Sequence, residues 1–254
     1  GGLPETAPFM GIGSNGPAYG EGPLMWQIAY PYLTLVADRI CGRRDLLERE
    51  WAGIERFGDY LLAFDAAELA PHCLGDHGSL IAQGFSGGSP DKEFVGWCAI
   101  LWALGLVCEA GERLGCDVER FATAASELRP RIIDRFKHEN GSFGDGTQTS
   151  WAFAAELGLG DQSELVGALV RAIKAEGGVL TTGIFGTSLG CLRSMATASF
   201  LSAGCCARTT RAYSECSPTA TGRLSRCSTI LWPRATMPCS RATTSGSTRV
   251  WVAF

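Results

Sequence analysis

The stretch Val95-Gly96-Trp97-Cys98-Ala99-Ile100-Leu101-Trp102-Ala103-Leu104-Gly105-Leu106-Val107 decides the fold class. It is the longest apolar run in the chain, interrupted only by Gly96, Cys98 and Gly105. The run by itself is too short to span a bilayer. Being apolar on nearly every side and rich in Ala and Gly, it reads as an inner, buried helix. Asp91 is its expected cap and Gly115 its expected stop.

Its neighbours are amphipathic. Asp117 opens a helix with Phe121, Ala125, Leu128, Ile132 and Phe136 on one face, and Glu119, Arg120, Glu127 and Arg131 turned to water. Upstream, a helix near residues 28–40 accepts Pro31 in its first turn. Gly42-Arg43-Arg44 then links it to a helix with Asp45 as N-cap and Leu47, Trp51, Ile54, Phe57 and Leu61 in register. Downstream, a Gly-rich loop at 139–146 precedes a short helix through Trp151 and Phe153. Asp161 begins another helix with Leu165, Leu169 and Ile173, which Gly177-Gly178 ends. No strand-like alternation of any length occurs before residue 188. The chain reads all-α, built from helical hairpins.

An α-solenoid would repeat at a fixed period of about 30 to 50 residues. No such self-similarity is present. Alternating buried and amphipathic helices fit an α/α toroid, in which inner and outer helices alternate and loops at one end build a pocket. A closed (α/α)6 ring needs about twice the helices available, so the reading is an incomplete toroid. Its inner face around Trp97 to Leu104 is then expected to lack partners and to stand exposed.

Composition bounds the function. The 254 residues are 46% hydrophobic and 19% charged, with a formal net charge of −4. That is an ordinary globular composition, with no basic field for nucleic acid or an anionic membrane. No basic stretch followed by an apolar one marks a signal peptide, which points to the cytoplasm. The opening Gly1-Gly2-Leu3-Pro4 reads as a domain cut. Eleven cysteines show no C-x-x-C spacing, so neither a zinc site nor a disulfide framework is expected. Cys41, Cys73, Cys98, Cys108 and Cys116 read as small buried hydrophobes.

Three polar, Gly-rich stretches suit a pocket mouth: the segment leading to Trp26, the loop Leu74-Gly75-Asp76-His77-Gly78-Ser79, and Thr181-Thr182-Gly183-Ile184-Phe185-Gly186-Thr187. The loop spanning residues 66–90 is long for a compact domain, as functional loops are. The order Gly20-Glu21-Gly22-Pro23…Trp26, Gly75-Asp76-His77, Gln148-Thr149 and Thr182-to-Thr187 resembles the catalytic domain of bacterial α-L-rhamnosidases over residues 1 to about 188. These are six-hairpin, (α/α)6-barrel glycoside hydrolases that invert the anomeric centre. The resemblance implies a rhamnose-containing substrate and no cofactor. It also implies two carboxylates, one protonating the leaving oxygen and one activating a water. In the family the acid lies in a motif of Asp-Cys-Pro and Arg-Glu character, and the base in Thr-Thr-x-Trp-Glu. Neither is found here, so no catalytic residue is assigned.

What the resemblance leaves is a sugar-binding wall. Trp26 matches a position where an aromatic packs on a rhamnose ring; the alternative is a core anchor for the first hairpin. Asp76 matches a carboxylate that accepts bonds from sugar hydroxyls, the alternative being an Asx-turn or helix cap. His77 stands where many relatives carry Trp, and a plain loop histidine fits equally. Glu21, between two glycines, either reaches the same pocket or is a solvated loop carboxylate. Thr181 and Thr182 shape their loop through side-chain-to-backbone bonds. Another six-hairpin glycosidase with a different sugar, or a helical binding protein without catalysis, fits the same pattern.

From Leu189 the statistics change. Glu215 is the only acid in residues 189–254, while eight arginines appear without one lysine. This irregular segment reads as a change of reading frame near codon 188 in a GC-rich gene. Ser245-Gly246-Ser247-Thr248 carries a hint, since TCT-GGG-AGC-ACN contains TGG-GAG-CAC, which reads Trp-Glu-His. Sequencing the coding DNA is expected to reveal an alternative frame after codon 188 with helical, acid-containing sequence and a Trp-Glu motif. An intact frame with no such motif would make residues 189–254 a genuine basic tail or an unfamiliar domain.

Overall fold

The computed structural model describes residues 2–6, 10–11, 15–81 and 92–189. The tail from 190 and Asp91 lie outside the described residues, and with them the expected cap. The elements are α1 (Leu24–Gln27), α2 (Ala29–Cys41), α3 (Arg44–Leu62), α4 (Ala66–Leu69), a 3-10 turn (Ala70–His72), α5 (Lys92–Leu114), α6 (Glu119–Phe136), α7 (Gln148–Glu156) and α8 (Gln162–Ala175). Residues 184–189 are also helical. Among the described residues the only extended pairing is an isolated bridge between Lys137 and Phe143. The chain is all-α.

Three hairpins pack side by side: α2 with α3, α5 with α6, and α7 with α8. Their turns are closed by glycines with positive φ, Gly42 at 64° and Gly115 at 70°, where a side chain would be strained. At α3 the N-cap lies two residues before the expected Asp45. Arg43 occupies the N-cap without a side-chain cap bond, since a guanidinium has no acceptor, and it donates instead to the Asp45 carboxylate at 2.8 and 2.7 Å. That pair holds Asp45 down to about 2. The caps at α7 and α8 are side-chain caps, with Thr147 accepting from the Ser150 amide and Asp161 from the Glu164 amide. The start of the long 66–90 loop is helical instead of irregular. Asp65 and Glu68 form a reciprocal capping box over α4.

Helix α5 is the hub, touching α1, α2, α3, α4, α6, α7 and the 3-10 turn. Phe94, Val95, Trp97, Cys98, Ile100, Leu101, Leu104 and Val107 are all buried. The expected exposed inner face over Trp97–Leu104 is therefore overturned. Helices of the neighbouring hairpins cover it, and Arg131 and Arg135 of α6 lie 5.2 and 5.5 Å from the Trp97 ring centroid. Exposed apolar side chains sit elsewhere, on Leu33 and Ile40 of α2 and on Leu80, Ile81 and Ile184. At 23 residues α5 is long and apolar enough to cross a membrane, unlike the shorter run read from sequence. Within the fold, 83% of its most apolar window is buried, and that burial accounts for its composition. Gly96 and Gly111 let it pack closely. A Cβ on Gly96 would meet the Ala70 carbonyl oxygen at 2.4 Å.

Polar bonds tie the layers. Asp38, buried on α2, takes Arg113 of α5 at 2.6 Å and Arg44 of α3 at 3.1 Å. Arg135–Glu93, Arg131–Asp65 and Arg120–Asp59 are exposed pairs that water and salt screen. Of the five expected buried cysteines, Cys73 and Cys98 are buried, Cys108 and Cys116 are half-buried, and Cys41 at the end of α2 is exposed. The Cys73 thiol is pushed up to about 12 by burial.

Tyr30 joins α2 to α3 by donating its hydroxyl to the Glu50 carboxylate at 3.0 Å. Burial, and then the Glu50 bond, raise its phenol from 10.0 to about 12. A raised folded value means stability present below the ordinary phenol range and lost as pH rises through about 12. Thermal unfolding scans from pH 9 to 12 should show a midpoint that falls as the phenol titrates. Tyr30→Phe should be less stable at pH 9 and should lose part of that slope. An unchanged slope in the variant would mean that other groups set the alkaline limit.

Candidate functional site

The three polar stretches converge at one end of the hairpins, where α2, α5 and α7 begin. Hydrogen bonds join the second and third of these stretches, which are about a hundred residues apart in the chain, and ring contacts bring in the Trp26 segment. Ser79 donates its hydroxyl to the Thr181 carbonyl at 2.7 Å, and the Leu80 amide donates to the same carbonyl at 3.1 Å. The Ile184 amide donates to the His77 carbonyl at 2.9 Å. Gln148, buried at the start of α7, donates to the Val179 carbonyl and accepts from the Thr181 amide, both at 3.0 Å.

At the centre of this junction is Asp76, wholly buried. Its Oδ1 accepts from the amides of Phe185 at 2.9 Å and Gly186 at 3.1 Å. Its Oδ2 accepts from the Gly183 amide at 2.7 Å and the Thr149 hydroxyl at 2.6 Å. The amides are those opening the helical residues 184–189, whose first N–H groups have no intrahelical partner. Asp76 thus caps, from across the fold, a helix start that lies within the polar stretch 181–187 expected to be a loop. Gly183 and Gly186 give the carboxylate room. A Cβ on Gly183 would lie 2.3 Å from the His77 carbonyl oxygen, and one on Gly186 would lie 2.5 Å from Oδ2. Thr182 bonds the Thr187 hydroxyl at 2.7 Å, so its contact is between side chains and not with backbone as expected.

Above the clasp stands a group of three rings. Trp26, on α1, meets His77 edge-on at 5.4 Å between centroids and Phe185 at 5.3 Å, with interplanar angles of 79° and 75°. All three rings are half-buried. Trp26 is positioned by its neighbour Gln27, which is buried, donates to the Gly22 carbonyl at 2.7 Å and accepts from the Leu3 amide at 2.8 Å.

Glu21 is placed otherwise. Its Oε1 accepts from the Gly2 amide at 2.8 Å, and its Oε2 from the Tyr60 hydroxyl at 2.9 Å and the Ala18 amide at 3.1 Å. Burial, and then this carboxylate, raise the Tyr60 phenol well above its ordinary range. Glu21 therefore organises the segment before Trp26. Of the other loop groups, His72 bonds the Asn15 carbonyl oxygen and His138 that of Gly144. Asp145 borders an open groove of about 380 Å³ beside Glu93, Arg135 and His138. Among the described residues no group of three or more His, Cys, Asp or Glu side chains could hold a metal ion.

The junction also uses Thr149, Gln148, Gly183, Gly186 and Phe185, which the motifs contain but sequence reasoning does not single out. Gln148 and Thr149 sit in the first turn of α7 immediately after a Thr147 cap, and buried polar side chains there were the available signal.

Residues 1–198 match the family model described as the bacterial alpha-L-rhamnosidase 6 hairpin glycosidase domain. The chain belongs to this family. Two solved structures share the fold. One is the Streptomyces avermitilis alpha-L-rhamnosidase complexed with L-rhamnose, with TM-score 0.60 and 17% identity over 69% of this chain. The other is the alpha-L-rhamnosidase from Dictyoglumus thermophilum, with TM-score 0.59 and 17% identity over 72% of this chain. The chain spans 17% and 22% of the lengths of those two proteins. No curated protein sequence matches it.

The clasp is a tight fit, and the glycines are its weakest allowance. Gly183→Ala should cost about 1–3 kcal/mol, as overpacked sites do. Urea denaturation of the variant would measure this, against an exposed control such as Gly177→Asn at the end of α8, which should move the midpoint little. A loss of under 0.5 kcal/mol, roughly the level of a neutral surface change, would mean that the loop relaxes freely.

Proposed function

We propose that this chain forms the sugar-facing wall of an inverting glycoside hydrolase that acts on terminal α-L-rhamnosides. The observation that carries the reading is the half-buried ring group of Trp26, His77 and Phe185, held over a buried carboxylate junction. A 6-deoxy sugar has an apolar C–H face and a methyl group, both suited to aromatic walls with few polar groups. The family membership and the L-rhamnose complex of one structural neighbour support that choice of sugar.

Trp26 and His77 are the proposed contacts to sugar. Glu21 and Asp76 act behind them, because their oxygens already take backbone and hydroxyl donors. An inverting hydrolysis needs two carboxyl groups about 6.5–9.5 Å apart with a water between them. Neither Glu21 nor Asp76 has oxygens free for that work, and neither family carboxylate motif is found in the sequence. We therefore assign this chain sugar binding without turnover. Residues 1–188 make up the proposed catalytic-domain part, and 189–254 the proposed out-of-frame segment. The family match runs past that boundary, to residue 198.

Titrating the chain with L-rhamnose while following tryptophan fluorescence should give saturable quenching that Trp26→Leu abolishes. Release of nitrophenol from nitrophenyl α-L-rhamnoside should stay at background. A response to a different sugar instead would indicate another six-hairpin glycosidase, and silence towards all sugars a binding protein of another kind. Turnover above background would overturn the assignment of binding without catalysis.

A further inference from the structure

We infer that Asp76 is a positioning residue: its buried carboxylate sets the geometry of the ring group by fixing where the helical residues 184–189 begin. The inference rests on the sugar-wall reading for its consequence, though its mechanism is independent of any sugar.

Asp76 and Phe185 are 109 positions apart in the chain, so no local bond places one against the other. The carboxylate makes that placement with both oxygens. On one side it receives two successive amides, Phe185 and Gly186; on the other it receives the Gly183 amide and the Thr149 hydroxyl. The first pair fixes the backbone that carries the Phe185 ring. The second fixes the turn before it and anchors both to α7. The residue next to Asp76 is His77, whose carbonyl accepts from Ile184 and whose ring meets Trp26. One carboxylate therefore helps hold the backbone of two of the three rings, both of which meet the third.

The chemistry of the acceptor is specific. Each carboxylate oxygen faces two of these donors. An isosteric amide in either orientation turns an NH2 group towards one of those donor pairs, replacing attraction with an unmet or opposed contact. The two glycines match this demand, because a Cβ at either would intrude on the carboxylate or on its own backbone. The hydroxyl of Thr149 has the same logic, since a valine of equal shape removes the donor alone.

The readout is the near-UV circular dichroism contributed by Trp26, taken as the difference between the chain and Trp26→Phe. All spectra are recorded well below each unfolding midpoint. Asp76→Asn should lose most of this contribution. Asp38→Asn, which breaks the buried ion pair among α2, α3 and α5, should lower stability but keep it. Should Asp76→Asn fail to fold, Thr149→Val and Thr149→Ser decide: the valine should reduce the signal and the serine should restore it. In the same samples, rhamnose affinity should fall about tenfold or more wherever the Trp26 signal falls, a penalty of about 1.4 kcal/mol.

A full Trp26 signal in Asp76→Asn, or in Thr149→Val when the former does not fold, would overturn the inference. So would a signal lost equally in Asp38→Asn, since general loosening would then explain it. If the parent chain shows no rhamnose response, the proposed function fails while the dichroism arm still decides the positioning role.

Discussion

A buried carboxylate must be solvated by the protein, and Asp76 is the group on which this structure's functional end depends. Bringing residues 76 and 183 together closes a loop of 107 residues, at an entropic cost of roughly 4 kcal/mol. A single ordinary hydrogen bond, worth about 1 kcal/mol net, could not hold that junction. Four bonds to a charged acceptor, each worth about 1.5–3 kcal/mol, can. The same bonds satisfy helix-start amides that would otherwise lie buried without partners. Charge burial and loop closure are each unfavourable, and the four bonds of the clasp offset both.

Helix α5 supplies the fixed body against which that junction is built. Its apolar surface contacts all three hairpins, and its Gly96 allows the 3-10 turn at 70–72 to rest on its first turns. That turn leads directly to Cys73 and the loop of Asp76. The loop thus leaves a packed surface at a defined point, with Cys73 buried and accepting from the Gly75 amide at 3.3 Å. At the other end of α5, the Asp38–Arg113–Arg44 cluster locks the hairpin turns. The molecule places its buried ion pair away from the rings and its buried carboxylate beneath them.

Much of this architecture is legible from local sequence. Asp161, Gly42 and Gly115 act where their residue types say they should, because a cap or a left-handed turn is decided within four residues. The core faces of α3 and α6 follow from helical period for the same reason. Misreadings arise where a nearer or farther partner competes. Asp45 loses its cap role to Arg43, two residues away. The box at Asp65 and Glu68 has the Asp-x-x-Glu signature, but it straddles the start of the stretch that reads as one long loop. The exposed face expected on α5 came from counting helices, which carries no information about how few of them can enclose one that is apolar all round.

The site divides along the same line. The sequence shows which stretches belong together, since Gly-rich polar loops between apolar helices are conspicuous. What it cannot express is the direction of a side chain. Asp76 in a Gly-Asp-His loop has the same one-dimensional signature whether its carboxylate turns outward to a ligand or inward to amides over a hundred residues on. The deciding information lies in Gly183, Gly186 and Thr149, residues unremarkable individually that make an acceptor-shaped cavity only together. Small residues at two spaced positions after a Thr-Thr pair, with a hydroxyl in the first turn of another helix, describe that cavity from its far wall. A carboxylate is the one side-chain acceptor that answers all four donors at once, which is why the ring group stands over an aspartate and not over an amide.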